Sequence, residues 1–293
     1  MLNKKILGIG EILWDLLPKG RQLGGAPANF AYHAKQLGFD AAVMSAVGRD
    51  ADGKDILEII MKSGIKSFIG VNERPTGTVS VSLDSKGVPV YIIHENVAWD
   101  FINSMPDALE WASKADAACF GSLAQRSSVS KGSIHEILES VPENCLKVFD
   151  INLRQQYFSR ETILASLQKA SILKINDEEI MVLGKMFGLG EKEEIIAEKA
   201  LREFRLDYLA LTRGATGSWL FSPIDASWLP TPKVEVVDTV GAGDSFTAAM
   251  VAGILSGKKL PDVHRLAVEV SAFVCTQAGG TPELPDHLIK ELK

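Results

Sequence analysis

The sequence predicts an α/β fold in which a mostly parallel central sheet carries helices on both faces and a small β-sheet lid. Short β-branched runs alternate with amphipathic stretches over most of the chain, as they do in repeated βαβ units. One region departs from that rhythm, because two β-like runs follow each other with no helix between them. Since no Pro-, Gly- or Ser-rich linker divides the chain, we expect a single domain over residues 1–293.

The individual elements follow from local pattern. Six apolar runs have the length of buried strands, at residues 6–10, 41–47, 115–121, 147–151, 171–175 and 207–212. Periodic stretches between them predict helices, among them 127–141, 161–170 and 191–204. The runs at 76–83 and 88–94, joined by Asp84-Ser85-Lys86-Gly87, predict a hairpin. With residues 12–17 it would form the lid, whose strands we place at about 11–18 and 76–95.

Composition excludes several classes of protein. The 31 Lys and Arg residues against 37 Asp and Glu give a net charge of −6, which argues against an extended nucleic-acid surface. No stretch free of charged residues exceeds 13 residues, whereas a membrane-spanning helix needs about 20 apolar residues. The first residues leave no room for a signal peptide, so we expect a cytoplasmic protein. The three cysteines lie far apart and indicate neither disulfides nor a zinc site.

Four familiar motifs fail on inspection. Gly8-Ile9-Gly10 follows a strand, but the third glycine of a dinucleotide-binding fingerprint would fall at Leu13. The segment 48–54 has P-loop glycine and lysine spacing, yet Asp50 and Asp52 would meet the phosphates, so a turn and helix cap is the better interpretation. The five histidines show no metal-ligand spacing and no Gly-x-Ser-x-Gly elbow occurs, which removes support for hydrolases.

The most informative segment is Val237-Asp238-Thr239-Val240-Gly241-Ala242-Gly243-Asp244-Ser245-Phe246. The apolar residues that follow recur with helical spacing, so Gly241, Ala242 and Gly243 stand at a helix N-terminus. Free backbone N–H groups and the helix dipole favour an anion there. Asp244 could simply complement the dipole. We interpret it instead as a base that accepts the proton of a hydroxyl attacking a bound phosphate.

A second glycine pair opens a helix near the start of the chain, in Gly24-Gly25-Ala26-Pro27-Ala28-Asn29. Pro27 suits a first helical turn, and Gly25 allows a ligand to approach the backbone. Just upstream, Glu11-Ile12-Leu13-Trp14-Asp15 places a carboxylate after the first strand. Carboxylate and amide groups of this kind hold hydroxyl-rich ligands, because every sugar hydroxyl needs a partner when it leaves water.

Together these segments resemble the PfkB (ribokinase-like) family of carbohydrate kinases, most closely its bacterial-type fructokinases. The motifs that carry the resemblance are Gly24-Gly25-x-x-x-Asn29, Gly48-Arg49-Asp50-x-x-Gly53, Asp150-x-Asn152-x-Arg154, Lys174-x-Asn176-x-x-Glu179, Thr212-Arg213-Gly214-x-x-Gly217 and Asp238-Thr239-x-Gly241-Ala242-Gly243-Asp244. They span almost the whole chain in the family's order, and the last is the most specific. The resemblance implies a ribokinase-like three-layer sandwich.

The resemblance also implies a role for each matching residue. Asp244 corresponds to the catalytic base, Gly241 to Gly243 to the anion hole, and Arg154 to a cation near the acceptor. The implied sugar contacts are Asp15, Gly24, Gly25 and Asn29, and the implied nucleotide contacts are Asn176, Thr212 and Gly214. Glu179 would act on Mg²⁺ through water, although Asn176 could also cap the helix at 177–185. Asp238 and the Val240 carbonyl resemble half of a monovalent-cation (K⁺) site that Ala272 and Gly279 could complete.

The sequence is less informative about the sugar. Trp14, Trp99 and Phe101 are candidate apolar walls for a sugar ring, and the lid residues Tyr91 and Ile93 could close over it. A lid closure that excludes water would suppress hydrolysis of ATP. An exposed lid also favours pairing with a second copy of the chain, so we expect a homodimer.

We therefore expect ATP- and Mg²⁺-dependent phosphorylation of a hydroxymethyl group on a free sugar, fructose to fructose 6-phosphate. The alternatives are kinases for 2-keto-3-deoxygluconate, a nucleoside or a sugar phosphate. A sugar acid would use Arg154, and a sugar phosphate would need cations such as Lys19 and Arg21. A non-catalytic sugar sensor is a further alternative, although it would be expected to lack Asp244 or the glycines.

Overall fold

The computed structural model describes residues 4–17, 20–83 and 89–292. Within those ranges the strands are β1 Lys5–Ile9, β2 Leu13–Leu17, β3 Gly20–Gly24, β4 Asp40–Gly48, β5 Lys66–Asn72, β6 Gly77–Leu83, β7 Pro89–Ile93, β8 Ala117–Phe120, β9 Leu146–Asp150, β10 Ile172–Asn176, β11 Tyr208–Thr212, β12 Gly217–Phe221 and β13 Ala226–Pro230. The helices are α1 Ala26–Gln36, α2 Ala51–Lys62, α3 Pro106–Ala112, α4 Ser128–Ser140, α5 Arg160–Leu167, α6 Asp177–Phe187, α7 Glu193–Glu203, α8 Ala242–Leu255, α9 Leu260–Cys275 and α10 Asp286–Lys290. None of these helices is long and apolar enough to cross a membrane.

The central sheet has nine strands in the order β13-β12-β11-β10-β9-β8-β1-β4-β5. The seven strands from β11 to β5 are parallel, and β12 and β13 add an antiparallel edge. The mostly parallel sheet is thus confirmed, and all six predicted strands lie within two residues of their observed ends. The edge strands β5 and β13 and the neighbouring strand β12 were not predicted from sequence.

Helices cover both faces of this sheet, which makes three layers. Because side chains alternate along a strand, Leu7 and Ile9 of β1 pack on the face covered by α3 to α7, and Ile6 packs on the other face with α1, α8 and α9. The second helix, α2, packs its buried Ile56 and Ile60 with residues of α1. The three-layer prediction is confirmed.

A second, four-stranded sheet has the order β3-β2-β6-β7. The β6–β7 pair is the predicted antiparallel hairpin; its turn at residues 84–88 and Lys19 lie outside the described residues, and so does the side chain of Tyr91. The sequence predicted β2 as a member but missed β3, whose composition, Gly-Arg-Gln-Leu-Gly, is not typical of a strand. The segment with P-loop spacing is a helix cap, since the Asp50 Oδ1 accepts the Gly53 amide at 2.7 Å.

One buried cation joins the small sheet to the central domain. Arg126 donates from Nε and Nη2 to the two carboxylate oxygens of Asp100, at 2.7 and 2.9 Å, and from Nη2 to the His94 carbonyl just after β7. Its guanidinium also stacks on the rings of Trp99 and Tyr157. Both charged side chains are only 7% exposed, so each depends on the other for compensation.

We expect Asp100→Ala to lower the free energy of unfolding by about 3–5 kcal/mol, because it leaves the Arg126 charge buried without its carboxylate. Urea denaturation followed by circular dichroism measures the change. The matched control is Glu110→Ala, which breaks an exposed pair with Lys114 and should have no measurable effect. Equal changes in the two variants would contradict a structural role for the Arg126 contact.

Candidate active site

A cleft of about 910 Å³ opens between the carboxyl ends of the central strands and the inner face of the small sheet. Ligands of open α/β sheets bind at this end of the strands. Of the predicted site residues, the cleft is lined by Asp15, Gly24, Gly25, Asn29, Arg154, Asn176, Glu179, Thr212, Gly214, Val240, Gly241, Gly243 and Asp244. Residues up to 229 positions apart in sequence are therefore brought to one surface.

Asp244 stands in the first turn of α8, which begins immediately after Gly241. Gly241 has φ 74°, a left-handed conformation, and its Cα lies against Gly280, where an added Cβ would approach the Gly280 carbonyl oxygen to 2.5 Å. A side chain is therefore excluded at Gly241 both by conformation and by space. The amide of Ala242 donates to the Thr239 carbonyl at 3.3 Å and closes the turn, whereas Gly241 and Gly243 face the cleft.

The Asp244 carboxyl is held by the acceptor side of the cleft, since Asn29 donates from Nδ2 to its Oδ2 at 2.8 Å. Burial, reinforced by the nearby Asp150 carboxylate, raises the pKa of Asp244 to about 6. The hydrogen bond from Asn29 and the positive charge of Lys174 act in the opposite direction. A carboxylate with this pKa is still ionised at neutral pH and is a stronger base than an ordinary aspartate.

Asn29 lies in the first turn of α1, and Gly25 forms its N-cap with φ 113°. A Cβ at Gly25 would meet the Glu11 carbonyl oxygen at 2.4 Å, so glycine is needed for the close passage of the two chain segments. The Oδ1 atom of Asn29 is buried and has no hydrogen-bond partner in the described part of the chain. Asn29 thus holds Asp244 with one atom and has an acceptor atom left for a ligand.

Asp15 extends from β2 into the same cleft. Its Oδ2 lies so close to Gly24 on the paired strand β3 that an added Cβ would be 2.2 Å away, which explains the glycine there. Burial raises the pKa of Asp15 to about 6, with the positive charge of Arg154 opposing the shift. Arg154 itself is exposed at the cleft and donates from Nη1 to the Leu153 carbonyl at 3.2 Å.

Sequence analysis included Glu11 in the segment after the first strand but gave it no role of its own. Glu11 is 2% exposed, lines the cleft, and its Oε2 finds no partner among the described residues. Burial raises the pKa of Glu11 to about 7, with Asp244 adding to the shift and Arg154 opposing it. Its position after a strand end was the signal that could have identified it.

Sequence analysis also assigned no role to Asp150 and Lys174, although both stand in quoted motifs. They form an ion pair, Nζ to Oδ1 3.1 Å, and both are almost fully buried. The second carboxylate oxygen of Asp150 accepts from Thr247 Oγ1 at 3.0 Å, which ties α8 to the sheet. The ammonium lies beside Gly243, where an added Cβ would be 2.9 Å from Nζ. Although burial works against the charged form, Asp150 and Glu179 raise the pKa of Lys174, which stays a cation.

The predicted nucleotide side lies at the ends of β10 and β11, where Asn176 pairs in register with Thr212. Asn176 caps α6, accepting the Glu179 amide at 2.8 Å, while Glu179 accepts the Asn176 amide at 3.0 Å. Glu179 also accepts the Leu153 amide at 2.8 Å, and burial raises its pKa. The predicted helix cap is confirmed.

Of the residues predicted to bind a monovalent cation, Asp238 closes a turn through backbone amides. Asp238 accepts the amides of Val240 at 3.0 Å and Gly279 at 3.1 Å, so both of its oxygens engage backbone, and Ala272 is buried within α9. Across residues 4–17, 20–83 and 89–292 no group of three or more His, Cys, Asp or Glu side chains is arranged as a metal site. That fits Mg²⁺ only as an ion held mainly by phosphates and waters, as is usual for it.

Two predicted sugar contacts do not reach the cleft. Trp99 is fully buried beneath Gly77 and Arg126, and Phe101 packs under the Arg74 guanidinium. Trp14, the third candidate wall, is buried against α1 and α2 on the far side of β2. Arg21 forms ion pairs with Asp52 and Asp55 rather than facing Asn29. Aromatic residues next to a ligand motif are often core residues, as Trp14 and Trp99 are here, whereas Phe101 is partly buried outside the cleft.

Comparison with known proteins agrees with this geometry. The family model of the pfkB family carbohydrate kinases matches residues 20–287. Fructokinase-1 of Oryza sativa is 26% identical over 98% of this chain and 96% of its own length, and an ATP-dependent 6-phosphofructokinase of Thermoanaerobacterium thermosaccharolyticum is 25% identical over 96% and 91%. The crystal structure of an uncharacterized sugar kinase from Pyrococcus horikoshii in complex with ATP superposes with a TM-score of 0.82, at 26% identity, over 98% of this chain and 100% of that one.

This chain belongs to the pfkB family of carbohydrate kinases. The family resemblance seen in the sequence motifs is thereby confirmed. The ribokinase-like fold is confirmed as well, because the chain superposes on the crystal structure of a putative ribokinase II from E. coli with a TM-score of 0.85, at 21% identity, over 99% of both chains.

We expect Asp244→Asn to raise the free energy of unfolding at about pH 8. Because folding raises the pKa of Asp244 from 3.8 to about 6, the folded state binds the proton more tightly, and stability falls as the pH rises through that interval. Asparagine removes this cost and can still accept from Asn29. The gain should shrink at about pH 4.5, where wild-type Asp244 is mostly protonated.

Urea unfolding at both pH values measures the difference. Asp107→Asn is the matched control, since Asp107 is also a first-turn aspartate but is exposed, on α3. Its substitution should give no gain at either pH. A lower free energy of unfolding for Asp244→Asn at about pH 8 would contradict the prediction, because it would show that the ionised carboxylate does not destabilise the folded state.

Proposed function

We propose that this chain transfers the γ-phosphoryl group of ATP to a hydroxymethyl group of a free sugar, converting fructose to fructose 6-phosphate. The observation that carries the proposal is the placement of Asp244, which joins a helix N-terminus to the side of the cleft that is rich in hydrogen-bond acceptors. The ATP bound to the Pyrococcus horikoshii relative and the fructokinase name of the Oryza sativa relative support the two substrates.

In this mechanism Asp244 is the general base. Its ionised carboxylate accepts the proton of the attacking hydroxyl, and Asn29 holds the carboxylate through Oδ2, leaving the other oxygen for the substrate. Phosphoryl transfer has a loose transition state, so the proton moves late and positioning contributes most of the rate. The raised pKa of Asp244 increases its basicity without neutralising it at neutral pH.

The transferred phosphoryl group would meet the N-terminus of α8. The Gly241 and Gly243 backbone faces the cleft, and the first N–H groups of a helix lack partners within it. Behind Gly243 lies the buried ammonium of Lys174, which adds positive charge where negative charge accumulates. Fixed donors of this kind stabilise the transition state because they need no reorganisation.

A hydroxyl-rich acceptor suits the other half of the cleft. The acceptor atoms of Asn29 (Oδ1) and Glu11 (Oε2) are buried without partners among the described residues, and Asp15 adds a half-buried carboxylate. A buried acceptor without a hydrogen bond destabilises the protein, and a ligand hydroxyl that donates to it removes that penalty. Each of these acceptors therefore favours binding of a hydroxyl. Because Glu11, Asp15 and Asp244 are all acids, a neutral sugar is favoured over a phosphorylated one.

The nucleotide would lie beside Asn176, Thr212 and Gly214, across the α8 N-terminus from the sugar. Mg²⁺ bound with ATP would neutralise phosphate charge, and Glu179 would hold one of its waters. A K⁺ site at Asp238 and Val240 stays a prediction, as does the subtype of fructokinase.

A second candidate is a sugar acid such as 2-keto-3-deoxygluconate. The specific observation in its favour is Arg154, whose exposed guanidinium borders the acceptor side of the cleft and could bind a carboxylate. In fructose phosphorylation the same charge would instead offset that of the phosphoryl group. A sugar-phosphate acceptor is less favoured, since Arg21 is occupied by Asp52 and Asp55.

We also propose a homodimer formed through the small sheet. Leu16, Ser80 and Ile92 are neighbours in register on the face turned away from the cleft, and Leu16 and Ile92 are exposed. Exposed apolar side chains on a small sheet favour pairing with a second copy.

The experiment that tests the proposal is a coupled ADP assay with fructose, 2-keto-3-deoxygluconate, fructose 6-phosphate and a nucleoside as acceptors. We expect the highest kcat/KM with fructose. Asp244→Asn should lower kcat by about 10²–10⁴, the usual contribution of a positioned base, while KM for ATP and sugar changes little. Near-normal turnover by the folded variant would contradict the assignment of the base, and no turnover of any acceptor by the wild type would favour a sensor.

Asp15→Ala should raise KM for fructose strongly, because a sugar hydroxyl loses a charge-assisted hydrogen bond of about 1.5–3 kcal/mol. KM for ATP should barely change, since the proposed nucleotide contacts come from residues 176–243. Measuring kcat/KM for fructose and its deoxy analogues with both enzymes forms a double-mutant cycle. For the analogue that lacks the contacted hydroxyl, kcat/KM should be nearly the same with both enzymes. An equal penalty on every analogue would mean that Asp15 is structural.

A further inference from the structure

One face of α1 carries a stripe of polar side chains, Asn29, His33 and Gln36, spaced so that they share that face. Asn29 reaches Asp244 as described above. His33 is completely buried, and its Nε2 lies 2.9 Å from the Gly280 carbonyl oxygen. A single helix face therefore contacts both the proposed base and a distant loop.

The third residue of the stripe, Gln36, hydrogen-bonds to the loop that follows Gly280. Gln36 donates from Nε2 to the Pro282 carbonyl at 2.8 Å, and its Oε1 accepts the Leu284 amide at 2.7 Å. These contacts join residues about 250 positions apart. The loop at 280–284 is thus fixed to α1 at two points, of which only the His33 contact lies next to the proposed anion-binding turn.

Gly280 packs directly between that turn and the sugar side of the cleft. An added Cβ at Gly241 would lie 2.5 Å from the Gly280 carbonyl oxygen and 2.6 Å from its Cα. An added Cβ at Gly280 would lie 3.0 Å from the Asn29 Nδ2. A shift of the Gly280 peptide toward either neighbour would therefore displace the Gly241 turn or the Asn29 amide.

The protonation of His33 suits a fixed donor. A carbonyl oxygen can only accept, so Nε2 carries the proton, and Nδ1 is buried without a partner in the described residues. Burial lowers the pKa of His33 to about 4, and the ring is neutral at physiological pH. The bond is therefore present over the whole pH range in which a kinase works.

We propose that His33 is a positioning residue that fixes the Gly280 peptide against Gly241 and thereby holds the anion-binding turn in place for phosphoryl transfer. This rests on the proposed function of the Gly241 to Gly243 turn. His33 does not line the cleft and acts through Gly280.

The experiment compares His33→Leu, which removes the donor, with His33→Gln, whose amide can donate over a similar reach. Gln36→Leu is the matched control, since it releases the same loop from the same helix but at Pro282. We expect His33→Leu to lower kcat by about 10- to 100-fold, with KM for fructose changed less than about threefold, because small misplacements of catalytic groups are costly. His33→Gln should recover most of the loss, and Gln36→Leu should keep kcat within about twofold.

Amide hydrogen exchange of the peptide covering 238–245 provides a readout that does not depend on turnover. We expect faster exchange there in His33→Leu but not in Gln36→Leu, even where the two variants lose similar thermal stability. If no sugar is phosphorylated by the wild type, the proposed function fails, and hydrogen exchange still decides the role of His33.

Unchanged kcat and unchanged exchange in His33→Leu would overturn the proposal. So would an equal loss of kcat in Gln36→Leu, because the effect would then come from the loop's general stability. If His33→Leu does not fold, the comparison of His33→Gln with His33→Asn, whose amide is too short to reach Gly280, replaces it, with slower turnover and faster exchange expected in His33→Asn alone.

Discussion

A buried ion pair between Asp150 and Lys174 links the sheet to the proposed catalytic turn. The pair joins the neighbouring strands β9 and β10, and the second carboxylate oxygen of Asp150 binds Thr247 in α8. Lys174 in turn lies against Gly243. A buried charge that loses its partner is strongly destabilising, so these groups hold one another in a fixed arrangement. The helix N-terminus that would receive the phosphoryl group is thereby placed directly over the strand ends.

That constraint also sets the electrostatics of the cleft. Glu11, Asp150 and Asp244 are acids in a region where burial raises the pKa of both Glu11 and Asp244, and the buried positive charge of Lys174 lies among them. Buried acids of this kind lower the stability of the folded state, and packing elsewhere must offset that cost. Such destabilised sites are common where groups are arranged for catalysis. The rigid contacts of α1 with Asp244 and with the 280–284 loop provide part of that support.

The small sheet closes the cleft from the other side, and its two faces carry different side chains. Side chains that alternate along β2, β6 and β7 place Asp15, Val79 and Ile93 toward the cleft, and Leu16 and Ile92 away from it. In the proposed homodimer the same strands would therefore contact a substrate with one face and a second subunit with the other. The buried Arg126 contact at the end of β7 anchors this sheet to the central domain.

The sequence by itself determined the α/β class, the positions of the buried strands along the chain and the motif around Asp244. These features depend on local periodicity and on residues adjacent in the chain. Only the tertiary structure decided which side chains reach the cleft. Trp99 and Phe101 resembled a sugar wall but pack elsewhere, while Glu11, Lys174 and His33 gained their positions from contacts with residues far away in sequence. The edge strands β5 and β13 were missed because they lack the buried apolar runs of central strands. The pKa of Asp244 could not be read from the chain either, since it is set by burial and by groups nearly 100 and more than 200 positions away, Asp150 and Asn29.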